Sequence, residues 1–245
     1  MKLAVLSISG GLDSTCLLLS LLMEGYTVKC YSFNYGQKHI VEQHKLKKNI
    51  SFLFGKGYPV ELQCIDLRDC FNDSQSSLHQ NGEKIPEGHY ADENMKSTVI
   101  ENRNVIFASI IYGKALSLSK KYDTPVEIFL GIHAGDHAIY PDCRPESREA
   151  CEHAFKISNW GSERVSYEAP FVDIDKGAVL KMGVSAMHEM GFKPSEAFLV
   201  LKNTHTCYNP DENGKACGKC GSCTERLEAF ASNDMIDPVE YQEGV

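Results

Sequence analysis

The first twenty-odd residues constrain the fold more than any other stretch. Lys2–Ile8 is a short, apolar, β-capable run, and the turn Ser9-Gly10-Gly11 follows it. From Asp13 to Glu24 apolar residues are dense enough for a buried helix, with Gly25 as its stop. A strand that feeds a glycine turn and then a helix opens a βαβ unit. Thr27–Phe33 supplies a second strand, Gln37–Phe54 returns to helical spacing, and Val60–Leu67 reads as a third strand. Strands and helices alternating at this spacing predict a parallel sheet with right-handed crossovers.

Asp69–Ser97 interrupts the rhythm. It is polar and long for a connection without structure, and such loops are commonly lids or binding loops. Asn102–Lys121 then predicts a long helix and Val126–Ile132 a buried strand. A polar loop containing "HAIYPDCRPE" follows, with helical stretches near Glu146–Ile157 and Lys176–Met190 and a last strand at Tyr167–Val172. The expected architecture is α/β, a parallel sheet with helices on both faces. Residues 1–200 form the nucleotide-binding domain, and 201–245 form a cysteine-bearing appendage closed by a short helix at Thr224–Phe230.

Net charge is −8, which leaves little basic surface for neutralising nucleic-acid phosphates and favours small-molecule partners over direct nucleic-acid binding. No stretch approaches the apolar length of a membrane span. Glycine and aspartate interrupt the first apolar run too early for a signal peptide, so a cytoplasmic protein is expected.

The glycine turn matches neither common phosphate loop. It lacks the G-x-G-x-x-G spacing, and no lysine follows the glycines as in G-x-x-x-x-G-K-[ST]. The plain alternative is a tight turn with a capping Asp or Ser. The anion-binding physics is nevertheless intact. Adjacent glycines let backbone N–H groups converge, a helix begins immediately, and Ser9, Ser14 and Thr15 add hydroxyl donors. Asp13 would repel a phosphate unless a divalent cation bridges them, which implies Mg²⁺.

The chain has ten cysteines, and four of them, Cys207, Cys217, Cys220 and Cys223, crowd into C-x₉-C-x₂-C-x₂-C around the turn "CGKCGSC". Four thiolates at this spacing suit one closed structural Zn²⁺ site. A redox dithiol and an iron–sulfur cluster are the rival readings. His205 has no coordination position left and reads as a surface or substrate-side residue. Cys16, Cys30, Cys64, Cys70 and Cys151 read as small buried hydrophobes.

The string SGGLDS, Ser9–Ser14, resembles the PP-loop of the ATP pyrophosphatases. That resemblance implies an adenine nucleotide alpha hydrolase-like, Rossmann-like fold. It also implies that ATP is bound by Ile8, Ser9, Gly10, Gly11, Leu12, Asp13, Ser14 and Thr15, and that AMP is transferred while pyrophosphate leaves. "FNYGQKH" (Phe33–His39), "ENRN" (Glu101–Asn104), "YPDCRPE" (Tyr140–Glu146) and the closing "CGKCGSCTERLEAF" extend the likeness over nearly the whole chain. Together they resemble the 7-cyano-7-deazaguanine synthase family.

The resemblance implies a carbon–nitrogen ligase that uses ATP with Mg²⁺, ammonia and 7-carboxy-7-deazaguanine, carries structural zinc on the four cysteines, and forms a homodimer. It assigns catalysis to Asp13, Ser14, Arg103 and Arg144, and substrate contacts to Tyr35, Gln37, Arg103, Asp142 and Arg144. Cys143 reads as loop packing. One departure stands out: "VIENRN" replaces the family's usual Val-Pro-x-Arg-Asn segment, keeping Arg103 and Asn104 but not the proline. The rival classes are an RNA-thiolating PP-loop enzyme, a paralogue that activates a protein C-terminus, and a non-catalytic zinc-ribbon interaction protein.

Overall fold

The five strands β1 (Leu3–Ser7), β2 (Thr27–Asn34), β3 (Val60–Asp66), β4 (Val126–Leu130) and β5 (Val165–Glu168) pair in the order β3-β2-β1-β4-β5, every pair parallel. The computed structural model describes residues 1–89, 93–133 and 140–243. Strand β1 is central, and its alternation shows why it is apolar throughout. Ala4 and Leu6 join one buried cluster, while Leu3 and Val5 join the cluster on the opposite face.

The first cluster is closed by α1 (Leu12–Met23), α2 (Val41–Gly55), α5 (Lys176–Glu189) and α6 (Pro194–Lys202). The second is closed by α3 (Arg103–Tyr122), by α4 (Pro145–Ser158) through Phe155, and by the four clustered cysteines, with α7 (Gly221–Ala231) reaching it through Cys223. Helix α1 is buried along almost its whole length because α5 lies directly on it. Gly183 permits that approach, since a β-carbon there would collide with the side chain of Cys16.

Several boundaries differ from the sequence expectations. Helix α2 starts at Val41, not Gln37, because Gln37 forms a bridge with His79 and its amide accepts from Tyr35 N at 3.0 Å. Strand β5 ends at Glu168 and does not run to Val172: Pro170 cannot donate to a ladder, and Val172 N turns back to Ala169 O. Helix α6, opened by Pro194 at its first turn, was not expected at all. Cys64 and Cys70 are exposed and Cys151 is half-buried, so only Cys16 and Cys30 behave as the buried hydrophobes expected of that group.

The described part of the Asp69–Ser97 stretch is tied down. Ser76 and Ser77 bond Ser97 O, Lys38 N bonds Leu78 O, and Thr98 Oγ1 lies 2.8 Å from Tyr140 Oη. Residues 90–92 of that stretch, and residues 137–139 of the "HAIYPDCRPE" loop, lie outside the described residues.

Arg226, which is 1% exposed, ties the chain around residues 201–206 to the stretch after α7. Its guanidinium grips Asp237 in bidentate fashion at 2.6 and 2.9 Å and donates to Thr204 and Thr206 hydroxyls at 2.8 and 2.9 Å. This holds residues 204–206 beside the glycine turn, where His205 N donates to Gly10 O at 2.9 Å. Among the described residues no helix is long and apolar enough to cross a membrane.

Candidate active site

A cavity of about 260 Å³ opens beside the carboxyl ends of β1, β2 and β4. Strands β2 and β3 continue the sheet on one side of β1, and β4 and β5 on the other. The crevice therefore sits at the point where strand order reverses, the usual ligand position in an open parallel sheet. Ser9, Gly11, Asp13 and Ser14 contribute one part of its wall.

Local geometry prepares this loop for an anion. Gly10 has φ +102°, and a β-carbon on it would lie 2.8 Å from Glu42 O and 2.9 Å from Leu46 Cβ. Only glycine lets α2 pack this closely on the turn. Helix α1 starts at an extended Gly11 with no side-chain cap, so its first-turn amides are left for a ligand. Ser9 Oγ accepts from Gly11 N at 3.0 Å and lies 3.3 Å from Ser14 Oγ, which fixes both hydroxyls at the turn. Ile8 also lines the cavity, whereas Leu12 and Thr15 are buried and do not.

The structure adds a cation that the sequence reading missed. Lys176, the first residue of α5, lines the cavity at 4% exposure, with Nζ 3.4 Å from Asp13 Oδ2 and 2.6 Å from Glu225 Oε2. Its place follows from the Asp175 cap, whose carboxylate accepts from Ala178 N at 2.8 Å and starts the helix there. A positive charge at a helix N-terminus opposes the dipole, so the two carboxylates are what hold it. His133 Nε2 completes the cluster, 3.6 Å from Glu225 Oε2.

Arg103 opens α3 and reaches the same cavity. It lies over the Tyr35 ring at 5.4 Å, donates from Nη1 to Tyr35 Oη at 3.4 Å, and bonds Asn104 Oδ1 through Nε at 3.1 Å. Burial opposes its charge, but the oxygens of Tyr35, Tyr140, Tyr208 and Asp142 outweigh burial and hold its proton more tightly than usual. The departure "VIENRN" forms a turn in which Arg103 N bonds Ile100 O and Glu101 accepts from Ser74 Oγ at 3.0 Å, and this turn leads directly into Arg103 at the start of α3.

Tyr140, Asp142 and Cys143 line the cavity from the short turn before α4, with Cys143 buried. Two expected contacts lie elsewhere. Arg144 is exposed at the start of α4, and Gln37 is turned into the core, where its Nε2 donates to Phe33 O and Glu42 Oε1. One helical turn beyond Arg144, Arg148 does line the cavity, its Nη1 donating to Tyr167 O at 3.1 Å. The i, i+4 relation between the two arginines was the available signal.

Three buried ionisable groups complete the wall. Burial pushes the Glu42 carboxyl up to about 8 and drives His39 and His205 down to about 3. His205 is therefore a buried cavity residue and not a surface one.

Behind this wall the Sγ atoms of Cys207, Cys217, Cys220 and Cys223 lie within 4.8 Å of one another, all buried. Cys217 and Cys223 Sγ stand 3.9 Å apart, close to the separation of about 3.8 Å that four sulfurs take at about 2.3 Å from a tetrahedral zinc. Amides of Asn209 and Cys217 point at Cys207 Sγ at 3.3 and 3.2 Å, and those of Lys219 and Cys220 at Cys217 Sγ, both at 3.4 Å. Such N–H donors stabilise thiolate ligands, so this donor set fits a metal. His205, Thr206, Tyr208 and Ser222 flank the ligands in sequence and line the cavity, which makes the two sites neighbours.

The profile of the queuosine biosynthesis protein QueC family matches residues 3–234. A 7-cyano-7-deazaguanine synthase of Caldicellulosiruptor saccharolyticus is 39% identical, aligned over 98% of this chain and 95% of its own. The enzyme of the same name from Hahella chejuensis is 41% identical over 98% of this chain and 93% of its own. That from Methanoregula boonei is 37% identical over 98% and 99%.

Proposed function

Because this chain belongs to the QueC family of queuosine biosynthesis proteins, we propose that it converts 7-carboxy-7-deazaguanine, ammonia and ATP into 7-cyano-7-deazaguanine. The observation that carries the reading is the convergence of the uncapped glycine turn, Lys176, Arg103 and the Tyr140–Cys143 turn on one cavity at the strand-order switch.

A carboxylate is a poor electrophile and its oxygen a poor leaving group. Joining that oxygen to AMP removes both obstacles. The first-turn amides of α1, the Ser9 and Ser14 hydroxyls and the Lys176 ammonium face the charge that grows on the departing pyrophosphate. Asp13 and the loop hydroxyls would hold Mg²⁺, whose charge offsets that of the phosphates. Arg103, kept charged and clamped on Tyr35, suits the substrate carboxylate. Ammonia then displaces AMP to give an amide, and a second activation of the amide oxygen allows its loss and leaves the nitrile.

Holding the acyl group, nucleotide and ammonia together supplies much of the rate, so the site needs no covalent nucleophile. The four cysteines would hold zinc in a structural role, bracing residues 205–208 and 222 against the nucleotide loop. An RNA-thiolating activity has no support from these full-length relatives, all of which carry the synthase name.

The test is direct. Zinc-loaded protein is incubated with 7-carboxy-7-deazaguanine, ammonium, Mg²⁺ and ATP, and the products are read by mass spectrometry. Nitrile and AMP are expected, with the amide as an intermediate. Absence of both amide and nitrile would remove the reading.

A further inference from the structure

Helix α7 runs from the cysteine cluster to the start of α5. Cys220 immediately precedes it, and Cys223 sits in its first turn. Just past its other end, Asn233 Nδ2 donates to Gly177 O at 3.0 Å, and a β-carbon on Gly177 would lie 2.7 Å from Ser232 Oγ. The first residues of α5 are thus seated on the end of α7 as closely as a glycine allows.

Glu225 stands between these two ends. Its Oε2 takes the Lys176 ammonium at 2.6 Å, the distance of a charge-assisted hydrogen bond, whereas Asp13 Oδ2 lies 3.4 Å from the same nitrogen. His133 Nε2 stands 3.6 Å from that Glu225 oxygen. The two carboxylates have different surroundings. Among the described residues Asp13 lines the cavity, in the first turn of the uncapped α1, and Glu225 does not.

A buried ammonium at a helix N-terminus needs a carboxylate beside it, because burial and the helix dipole both disfavour its charge. Asp13 cannot be that partner once it turns to Mg²⁺. Glu225 can, since it stands outside the cavity that the nucleotide and the cation enter.

We propose that Glu225 is a positioning residue: it holds the Lys176 ammonium beside the nucleotide loop while Asp13 is released to the divalent cation, and it ties that lysine to the helix carrying Cys223. This rests on the function proposed above. Glu225 touches neither substrate nor nucleotide and transfers no proton. It acts through Lys176.

The test uses full-length, zinc-loaded protein. Glu225→Gln keeps the shape and removes the charge, and it should lower kcat for amide and nitrile formation by about 10–10²-fold with the KM for 7-carboxy-7-deazaguanine little changed. Asp13 is then the remaining carboxylate on Lys176, so the Mg²⁺ concentration that gives half-maximal ATP binding should rise several-fold. Glu225→Asp keeps the charge and should recover part of both losses. In the Lys176→Met background Glu225→Gln should cost less than about twofold, because the residue it serves is gone.

Equal losses from Glu225→Gln in the two backgrounds would overturn the proposal. So would a Glu225→Gln enzyme within about twofold of wild type. If the substitution disturbs folding, a crystal structure of the wild-type protein with Mg²⁺ and α,β-methylene-ATP answers the same question. Lys176 Nζ should stay within hydrogen-bond reach of Glu225 while Asp13 turns to the metal. A lysine that has left Glu225 for a phosphate, or an Asp13 still held on the lysine, contradicts the proposal. Wild-type protein that binds this nucleotide but makes neither amide nor nitrile would end the functional reading instead, and the bound structure would still decide the part of Glu225. Protein that binds no nucleotide would overturn both.

Discussion

Lys176 Nζ stands 3.4 Å from Asp13 Oδ2, so the glycine turn does have an ammonium beside it, delivered by α5 instead of by the residues that follow the glycines. The chain dispenses with the usual phosphate-loop lysine in sequence and recovers one in space. The cation faces the start of α1 from outside the loop, a position suited to a leaving pyrophosphate.

Lys176→Met should therefore lower kcat by about 10²–10³-fold, the loss typical of removing one preorganised charge-stabilising donor, and Lys176→Arg should restore part of it. Steady-state kinetics with saturating ATP reads this. A Met variant within about twofold of wild type would remove Lys176 from the chemistry.

Gly10→Ala should harm both fold and nucleotide binding. The added carbon would meet Glu42 O and Leu46 Cβ at 2.8 and 2.9 Å, on a backbone at φ +102° that side chains rarely adopt. A cost of about 1–3 kcal/mol is expected from urea midpoints, accompanied by weaker ATP binding in a titration. Unchanged values of both would mean that α2 does not press on the loop.

Glu42 makes a prediction about pH. Its carboxyl ionises near 4.5 when unfolded and at about 8 in the fold, because burial disfavours the charged form. The folded state thus holds the extra proton between these values, and stability should fall as pH rises through that window and level off above about 8. The slope should approach about 1.4 kcal/mol per pH unit. His39 is neutral in both states above about pH 6.5, so urea midpoints between about pH 7 and 8 isolate the Glu42 effect. Glu42→Gln should flatten that slope, and an identical slope in the variant would contradict the assignment.

Metal analysis should give about one zinc per chain and no iron. Stripping it, or substituting Cys217→Ser, should lower stability by an amount on the order of 10 kcal/mol at the local site and weaken ATP binding, because His205, Thr206, Tyr208 and Ser222 line the cavity beside the ligands. Iron in place of zinc would reopen the thiolating alternative. Full ATP affinity without metal would uncouple the two sites.

The strands, the glycine turn and the cysteine cluster were legible because each depends on residues close in sequence. Short apolar and β-branched runs marked β1 through β4, and C-x₂-C-x₂-C brings thiolates together by local turn geometry. Lys176 was not legible as a site residue, since it reaches Asp13 only through the packing of α5 on α1 at Gly183. Arg148 lay one turn from the arginine that the motif singled out, and it is Arg148, inside α4, that lines the cavity, while Arg144 sits at the exposed N-cap. Of the two readings of His205, surface or substrate-side, the second agrees with its place in the cavity wall, and nothing local reveals the Arg226–Asp237 clamp that draws its segment against Gly10. The late start of α2 has the same character: the spacing from Gln37 is helical, but the bridge to His79 claims that residue first.

The most direct measurement of the central claim follows the carboxylate oxygens. With 7-carboxy-7-deazaguanine carrying heavy oxygen at both carboxylate positions, two AMP should form per nitrile, each holding one heavy oxygen, with none in pyrophosphate. ADP as the nucleotide product, or heavy oxygen released in inorganic phosphate, would contradict activation by AMP transfer at the glycine turn.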